Sequence, residues 1–214
     1  TATQATHIRF CVDMRNYQPI DVGGIHLYIE GDTNFYYMNQ DPSDTMVYCV
    51  TLDLPSDSCI QYDFLNGSDF YGLEFIPLES RVSDFNSDRW ICTHSNSPDT
   101  IETGAILFSG NAPEGLLALR VKVDMQNEQV DPSGVFANGT FGGPAQMGDL
   151  EGSVYEVITY VTPGVYDYFF RNGSTPETVP SACTVNNQRQ ATVAIDTVVP
   201  AVCFSSCQGC ITVV

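Results

Sequence analysis

The residues of this chain best equipped for chemistry are its eight cysteines, and their positions divide them evenly. Cys11, Cys49, Cys59 and Cys92 lie in the first half, and Cys183, Cys203, Cys207 and Cys210 in the second. Thiolates can hold zinc, and Cys203-x3-Cys207-x2-Cys210 with Cys183 is one way to assemble four of them. No histidine lies near that cluster, and an even set in each half is what disulfides closed within domains require. All eight are therefore expected as disulfides. The expected pairs in the second half are Cys183–Cys203 with Cys207–Cys210; in the first half the sequence leaves the pairing open, Cys11–Cys49 with Cys59–Cys92 being one arrangement.

The other reactive types are scattered. His7, His26 and His94 share no metal-binding spacing, and neither a nucleophile elbow nor a glycine-rich phosphate loop is present. Carboxylates abound, and Glu30, Asp32, Asp41 and Asp44 crowd together as hard oxygen ligands would for calcium, but in no known loop spacing. The reading is of a protein without catalytic, cofactor or metal site, and not an enzyme. Two modification patterns stand out. Asn66-Gly67-Ser68, Asn138-Gly139-Thr140 and Asn172-Gly173-Ser174 are N-linked acceptor patterns whose Asn-Gly pairs are equally turn chemistry. Thr45, Thr100 and Thr197 each follow Asp and precede an aliphatic residue or Met, the pattern of bacterial O-glycosylation, and covalent glycans are expected there.

These residues must be positioned by strands. Phe10, Val12 and Met14 alternate with Arg9, Cys11 and Asp13; Tyr48, Val50, Leu52 and Leu54, and then Ile60, Tyr62 and Phe64, repeat the period of two. Turn clusters such as Leu54-Pro55-Ser56-Asp57-Ser58 and Thr162-Pro163-Gly164 separate the runs, and no stretch has a helical period. The pattern recurs. Ile8–Met14 matches Leu119–Met125, Val47-Tyr48-Cys49-Val50 matches Val154-Tyr155-Glu156-Val157, and Tyr62–Gly67 matches Tyr168–Gly173, in the same order. The sequence thus predicts an all-β chain of two tandem immunoglobulin-like sandwiches, residues 1–112 and 113–214, each near the size usual for that fold.

The second copy resembles a repeat found in large secreted proteins of the Bacteroidota, similar in layout to starch- and glycogen-binding modules. The resemblance rests on Val123-Asp124-Met125, Gly134-Val135, Tyr166–Gly173, Glu177-Thr178-Val179-Pro180-Ser181-Ala182-Cys183 and Val202-Cys203-Phe204-Ser205-Ser206-Cys207-Gln208-Gly209-Cys210. It implies an early-set immunoglobulin-like sandwich. The repeat usually has two tryptophans where this chain reads Phe141-Gly142-Gly143-Pro144 and Ser174-Thr175-Pro176-Glu177. Without them no binding of starch-like glycan is expected. The one tryptophan, Trp90, sits in Arg89-Trp90-Ile91-Cys92 and reads as core, and Tyr36 with Tyr37 is a candidate substitute platform.

Composition narrows the function. With 8 Lys plus Arg against 26 Asp plus Glu, the net charge is −18, which excludes nucleic acid and anionic membrane as partners. No run approaches the roughly 18 apolar residues of a membrane span. Paired cysteines and a single lysine suit a secreted, extracellular or cell-surface protein, and the polar opening Thr1–Thr6 reads as the mature end left by cleavage. Thr1, Ala2 and Thr3 at one end and Ile211, Thr212, Val213 and Val214 at the other are uncharged and β-prone. They suggest a structural subunit polymerising head to tail with itself by terminal-strand addition. The alternative is a carbohydrate-binding or adhesive module of a surface protein.

Overall fold

The computed structural model describes residues 5–94 and 100–210, which form two compact units that divide between Gly115 and Leu116. Residues 112–115 stay with the first unit: the Ala112 carbonyl accepts from Leu107 N–H, Pro113 bridges Ile106, and Glu114 pairs with Arg15.

The first unit contains β1 (Ala5–Asp13), β2 (Ile25–Ile29), β3 (Phe35–Asp41), β4 (Asp44–Pro55), β5 (Cys59–Asn66), β6 (Arg89–Cys92) and β7 (Thr100–Leu107), in the spatial order β6-β5-β2-β3-β4-β1-β7. β3 turns the corner: its residues to Met38 pair with β2, and Asn39–Asp41 pair with β4. The ladder thus folds into two layers. Between them lie Ile8, Phe10, Val12, Met14, Ile25, Leu27, Met38, Phe64 and Phe108, all essentially inaccessible to water. Every pairing is antiparallel except β7, which runs parallel to β1.

The second unit contains β8 (Leu117–Asp124), β9 (Val135–Gly139), β10 (Gly142–Glu151), β11 (Val154–Val161), β12 (Gly164–Asn172), β13 (Thr175–Pro176), β14 (Arg189–Val193), β15 (Thr197–Val198) and β16 (Val202–Cys203). Here β10 turns the corner between β9 and β11, while β15 and β16 run parallel beside β8. Leu119, Val121, Val123, Val135, Ala137, Met147, Phe170 and Val193 form its core.

Both units are built around the same polar clamp. In the first, Glu74 Oε1 accepts from Phe64 N–H (3.0 Å) and Arg89 Nε–H (2.8 Å), and Oε2 accepts from Arg89 Nη2 (2.6 Å) and Ser109 N–H (3.1 Å). In the second, Glu177 Oε1 accepts from Phe170 N–H (2.8 Å) and Arg189 Nε–H (2.9 Å), and Oε2 from Arg189 Nη2 (2.6 Å) and Ser205 N–H (3.3 Å). Ser109 and Ser205 share an unusual positive φ, 58° and 57°, and each guanidinium lies over the ring of Phe64 or Phe170. The turn chemistry repeats too. Asn66 and Asn172 each accept from the N–H of an aspartate, Asp21 and Asp131, and donate to the Pro19 and Gln129 carbonyls.

The units differ where Cys11 faces Cys49. That registered pair of β1 and β4 is a disulfide with Cα atoms 4.2 Å apart. Such close approach belongs to the pair type that exchanges no main-chain hydrogen bonds, and Cys11 N–H donates instead to Thr103 Oγ1 (3.1 Å). At the matching place of β8 and β11, Lys122 faces Glu156, 3.1 Å apart, and buried Arg120 reaches the same carboxylate at 2.7 Å. One copy staples its strands covalently where the other uses charge.

Candidate functional site

Four disulfides are formed, as an oxidising compartment allows. Cys59 and Cys92 are directly opposed on β5 and β6. In the second unit the pairing differs from the expectation: Cys183 joins Cys207, and Cys203 joins Cys210. The reason is the tight turn after β16. Cys203 N–H donates to the Gln208 carbonyl and Ser206 N–H to the Cys203 carbonyl, which folds the chain back so that Cys210 reaches Cys203. Cys183, in the short helical turn Ser181–Cys183, instead meets Cys207 beside the Pro180 carbonyl.

The crowded carboxylates of the first half do not converge. Asp41 binds Arg9 and the Ser43 N–H and hydroxyl, bonds that hold its pKa down at about 2, while Asp44 binds Arg15 and Asp32 caps its own turn. Among the described residues no group of three His, Cys, Asp or Glu side chains is placed to hold a metal ion. Thr45 and Thr100 are exposed, whereas the Thr197 hydroxyl is half-buried and bonded to the Ile195 carbonyl at 2.7 Å. The amides of Asn66 and Asn172 are spent on the turns above, and the Thr140 hydroxyl of the third acceptor pattern accepts from Asp167 N–H.

Of the candidate assembly residues, Thr1, Ala2, Thr3, Ile211, Thr212, Val213 and Val214 lie outside the described residues. Ala5 and Thr6, the end of the polar opening Thr1–Thr6, belong to β1 and pair with Pro55 and Leu54. The edge strands are described. β6 has four residues, β13, β15 and β16 two each, and β14 five. β7 has eight, and only its far end is covered, by Ala112 and Pro113; among the described residues no strand pairs with its outer side over Thr100–Thr103. Gly104, at φ +77°, accompanies the bulge that ends this regular stretch.

The outer face of β2, β3, β5 and β6 was misjudged from the sequence. Tyr36 and Tyr37 cannot share a platform, because neighbouring residues of a strand point to opposite faces. Tyr36 registers with Leu27 and packs against the core, its hydroxyl on Asp32, while Tyr37 registers with His26 and stands outside. Trp90 registers with Gln61, on the face opposite Arg89 and Ile91; it is half-buried on the outer surface rather than a member of the core. Tyr28 and Phe35 oppose each other on the same outer face, and Phe70 closes edge-on against both, with centroids 5.1 Å from each. Beside Tyr28 lies Asp63, only 4% exposed. Burial, reinforced by Asp88, Glu74 and Glu30 against the opposing pull of Arg89, pushes its pKa up to about 8. Burial also raises Asp88, which is hydrogen-bonded to Asp63.

No protein-family model matches the chain, and no curated protein matches it. Solved structures that are similar in part include three of known description. CBMbc, a family CBM26 module of Eubacterium rectale Amy13K in complex with maltoheptaose, is 11% identical, with 95% of this chain and 94% of that one covered and a TM-score of 0.31. A streptococcal ancillary pilin is 14% identical, with 93% and 62% covered and a TM-score of 0.24. The type I pullulanase of Bacillus subtilis, complexed with maltose, is 10% identical, with 92% and 28% covered and a TM-score of 0.21. At these scores none of them carries an argument about what this chain does.

Proposed function

We propose that the chain is a non-catalytic structural subunit of an extracellular assembly, and that its copies join by adding a terminal strand of one to a sheet edge of the next. The supporting observation is the open stretch Thr100–Thr103 of β7. A row of free main-chain donors and acceptors on a regular edge is a template for another strand, and a protein that stays monomeric usually hides it. Of the other edges, β13, β15 and β16 have two residues each, and β6 is tied to β5 by Cys59–Cys92. The donor is Ile211–Val214, uncharged and β-branched throughout. A contact between two different surfaces does not close on itself, so it propagates into a filament. The net charge of −18 then keeps neighbouring filaments apart.

This reading sets one of the expected glycans against the assembly. A glycan on Thr100 would occupy the edge that the incoming strand needs, so Thr100 stays bare in assembled material while Thr45 remains free to be modified. Deleting Ile211–Val214 tests the proposal: sedimentation of the oxidised protein should change from large species to monomer. Large species that persist unchanged would remove the C-terminal segment from the mechanism.

A further inference from the structure

The two units share one frame but have their longest edge strand on different sides. The parallel strand beside β1 is β7, eight residues long; at the same place beside β8 the chain makes only β15 and β16, with Pro200 between them. Proline lacks the N–H that a ladder needs, so that side of the second unit offers no regular row. The other side is reversed. It is formed by β6 in the first unit and β14 in the second, for Arg89 registers with Tyr62 as Arg189 does with Tyr168. In β14 Gln190 stands at the place of Trp90, and Thr192 with Val165 at the places of the disulfide-bonded Cys92 and Cys59. Arg189, Ala191 and Val193 are buried and Gln190 and Thr192 exposed, a regular alternation. Among the described residues no strand pairs with the outer side of β14. Beside it Val165 and Ile195 are exposed at 57% and 74%. From residue 178 to residue 195 the sequence has no aspartate or glutamate, in a chain whose net charge is −18.

Resting on the head-to-tail reading above, we propose that the joint between copies is reciprocal. While residues 211–214 of the preceding copy add to β7 of the following one, residues 1–4 of the following copy add to β14 of the preceding one. The positions of the edges carry this. Residues 1–4 lead into β1 at Ala5, and His7 of β1 registers with Thr100, where the open stretch of β7 begins. A segment to donate and an edge to accept thus lie at one end of the first unit. In the second unit Arg189, which opens β14, donates to the Ser206 carbonyl (2.8 Å). Cys210, which leads into residues 211–214, has its Sγ 3.7 Å from the Asp124 carbonyl, and Phe204 N–H bonds that same carbonyl. Donor and acceptor again share an end. Bringing these two ends together sets each segment beside the edge of the other copy. Length agrees. Four extended residues span at most about 14 Å, enough for four of the five residues of β14. Charge agrees as well: Thr1, Ala2, Thr3 and Gln4 have uncharged side chains, and β14 lies in the stretch without carboxylates, where copies repel least. Gln190 and Thr192 would meet threonines across the new pairing, neighbours that hydrogen-bond across strands.

The test is sedimentation velocity of the oxidised full chain over a range of concentrations. Thr192→Glu charges an exposed side chain of β14 and should raise the concentration needed for assembly at least tenfold. Thr162→Glu, also at an exposed residue of the second unit but in the turn between β11 and β12, should not. Removing residues 1–4 should act like Thr192→Glu, and combining the two should add nothing further, since both break one contact. Thr3→Lys joined to Thr192→Glu should recover part of the loss, which a misfolded edge would not allow. Deleting residues 211–214 separates the two readings. If that deletion abolishes assembly while Thr192→Glu and the chain without residues 1–4 assemble like the parent, the joint is one-way and this inference is wrong, though strand addition to β7 stands. If the parent is itself a monomer, both fall. Two-chain particles that survive removal of residues 1–4 but not Thr192→Glu would make β14 a contact with its own counterpart, and would also overturn the reciprocal joint.

Discussion

Replacing Asp63 with asparagine should stabilise the first unit by an amount that grows with pH. In the folded chain Asp63 keeps its proton up to about pH 8, because burial between Tyr28 and the Asp88 segment disfavours its charge. An unfolded aspartate releases that proton near its ordinary pKa of about 3.9. Between these limits the folded state holds more protons than the unfolded one, so stability falls as pH rises, by roughly 1.4 kcal/mol per unit. From about pH 4 to about pH 7 the loss attributable to this group is roughly 4 kcal/mol. The amide introduced by Asp63→Asn cannot ionise, and its N–H can donate to Asp88 as the carboxyl proton does. The gain over the parent should therefore be near zero at about pH 4 and reach several kcal/mol at about pH 7. Guanidinium unfolding at three pH values with disulfides intact reads it directly. A difference that does not change with pH would show that Asp63 is ionised in the fold, against the effect of its burial.

Other outcomes follow from the same geometry. Glu177→Gln or Glu74→Gln leaves a buried guanidinium without its carboxylate and should cost about 3–5 kcal/mol in unfolding measurements on the corresponding unit. Peptide mapping without reduction should recover Cys183 linked to Cys207 and Cys203 linked to Cys210; Cys183 linked to Cys203 would contradict the fold of the turn after β16. Site-resolved mass spectrometry of native material should find Asn66 and Asn172 bare, since a glycan on either amide would break its bonds to the adjoining turn, and should find Thr100 bare in the assembled fraction.

The sequence carried the strands well, because a sheet with one face in the core imposes a period of two on its side chains. Phe10, Val12 and Met14, and Tyr62 and Phe64, lie in the core where that alternation puts them. The even cysteine sets were legible for the same elementary reason, yet their pairing in the second unit was not. Neighbours along the chain say little about a turn such as Cys203–Cys210, whose path is set by main-chain bonds. The Glu–Arg clamp left a readable trace, Glu74-Phe75-Ile76-Pro77 against Glu177-Thr178-Val179-Pro180, that becomes visible once the two copies are aligned through their cores. The aromatic face was harder. Trp90 sits among apolar residues in sequence but on the outer side of an edge strand, and Phe70 reaches Tyr28 and Phe35 from a connection, Gly67–Leu73, whose counterpart Gly173–Pro176 in the second copy is shorter and carries no aromatic residue. Contacts of that kind depend on tertiary placement rather than periodicity.

Whether this chain assembles with itself is read most simply from negative-stain images of native, oxidised protein at moderate salt. The proposal predicts filaments one subunit wide that disappear when Ile211–Val214 is deleted. A field of dispersed single particles at high protein concentration would contradict it.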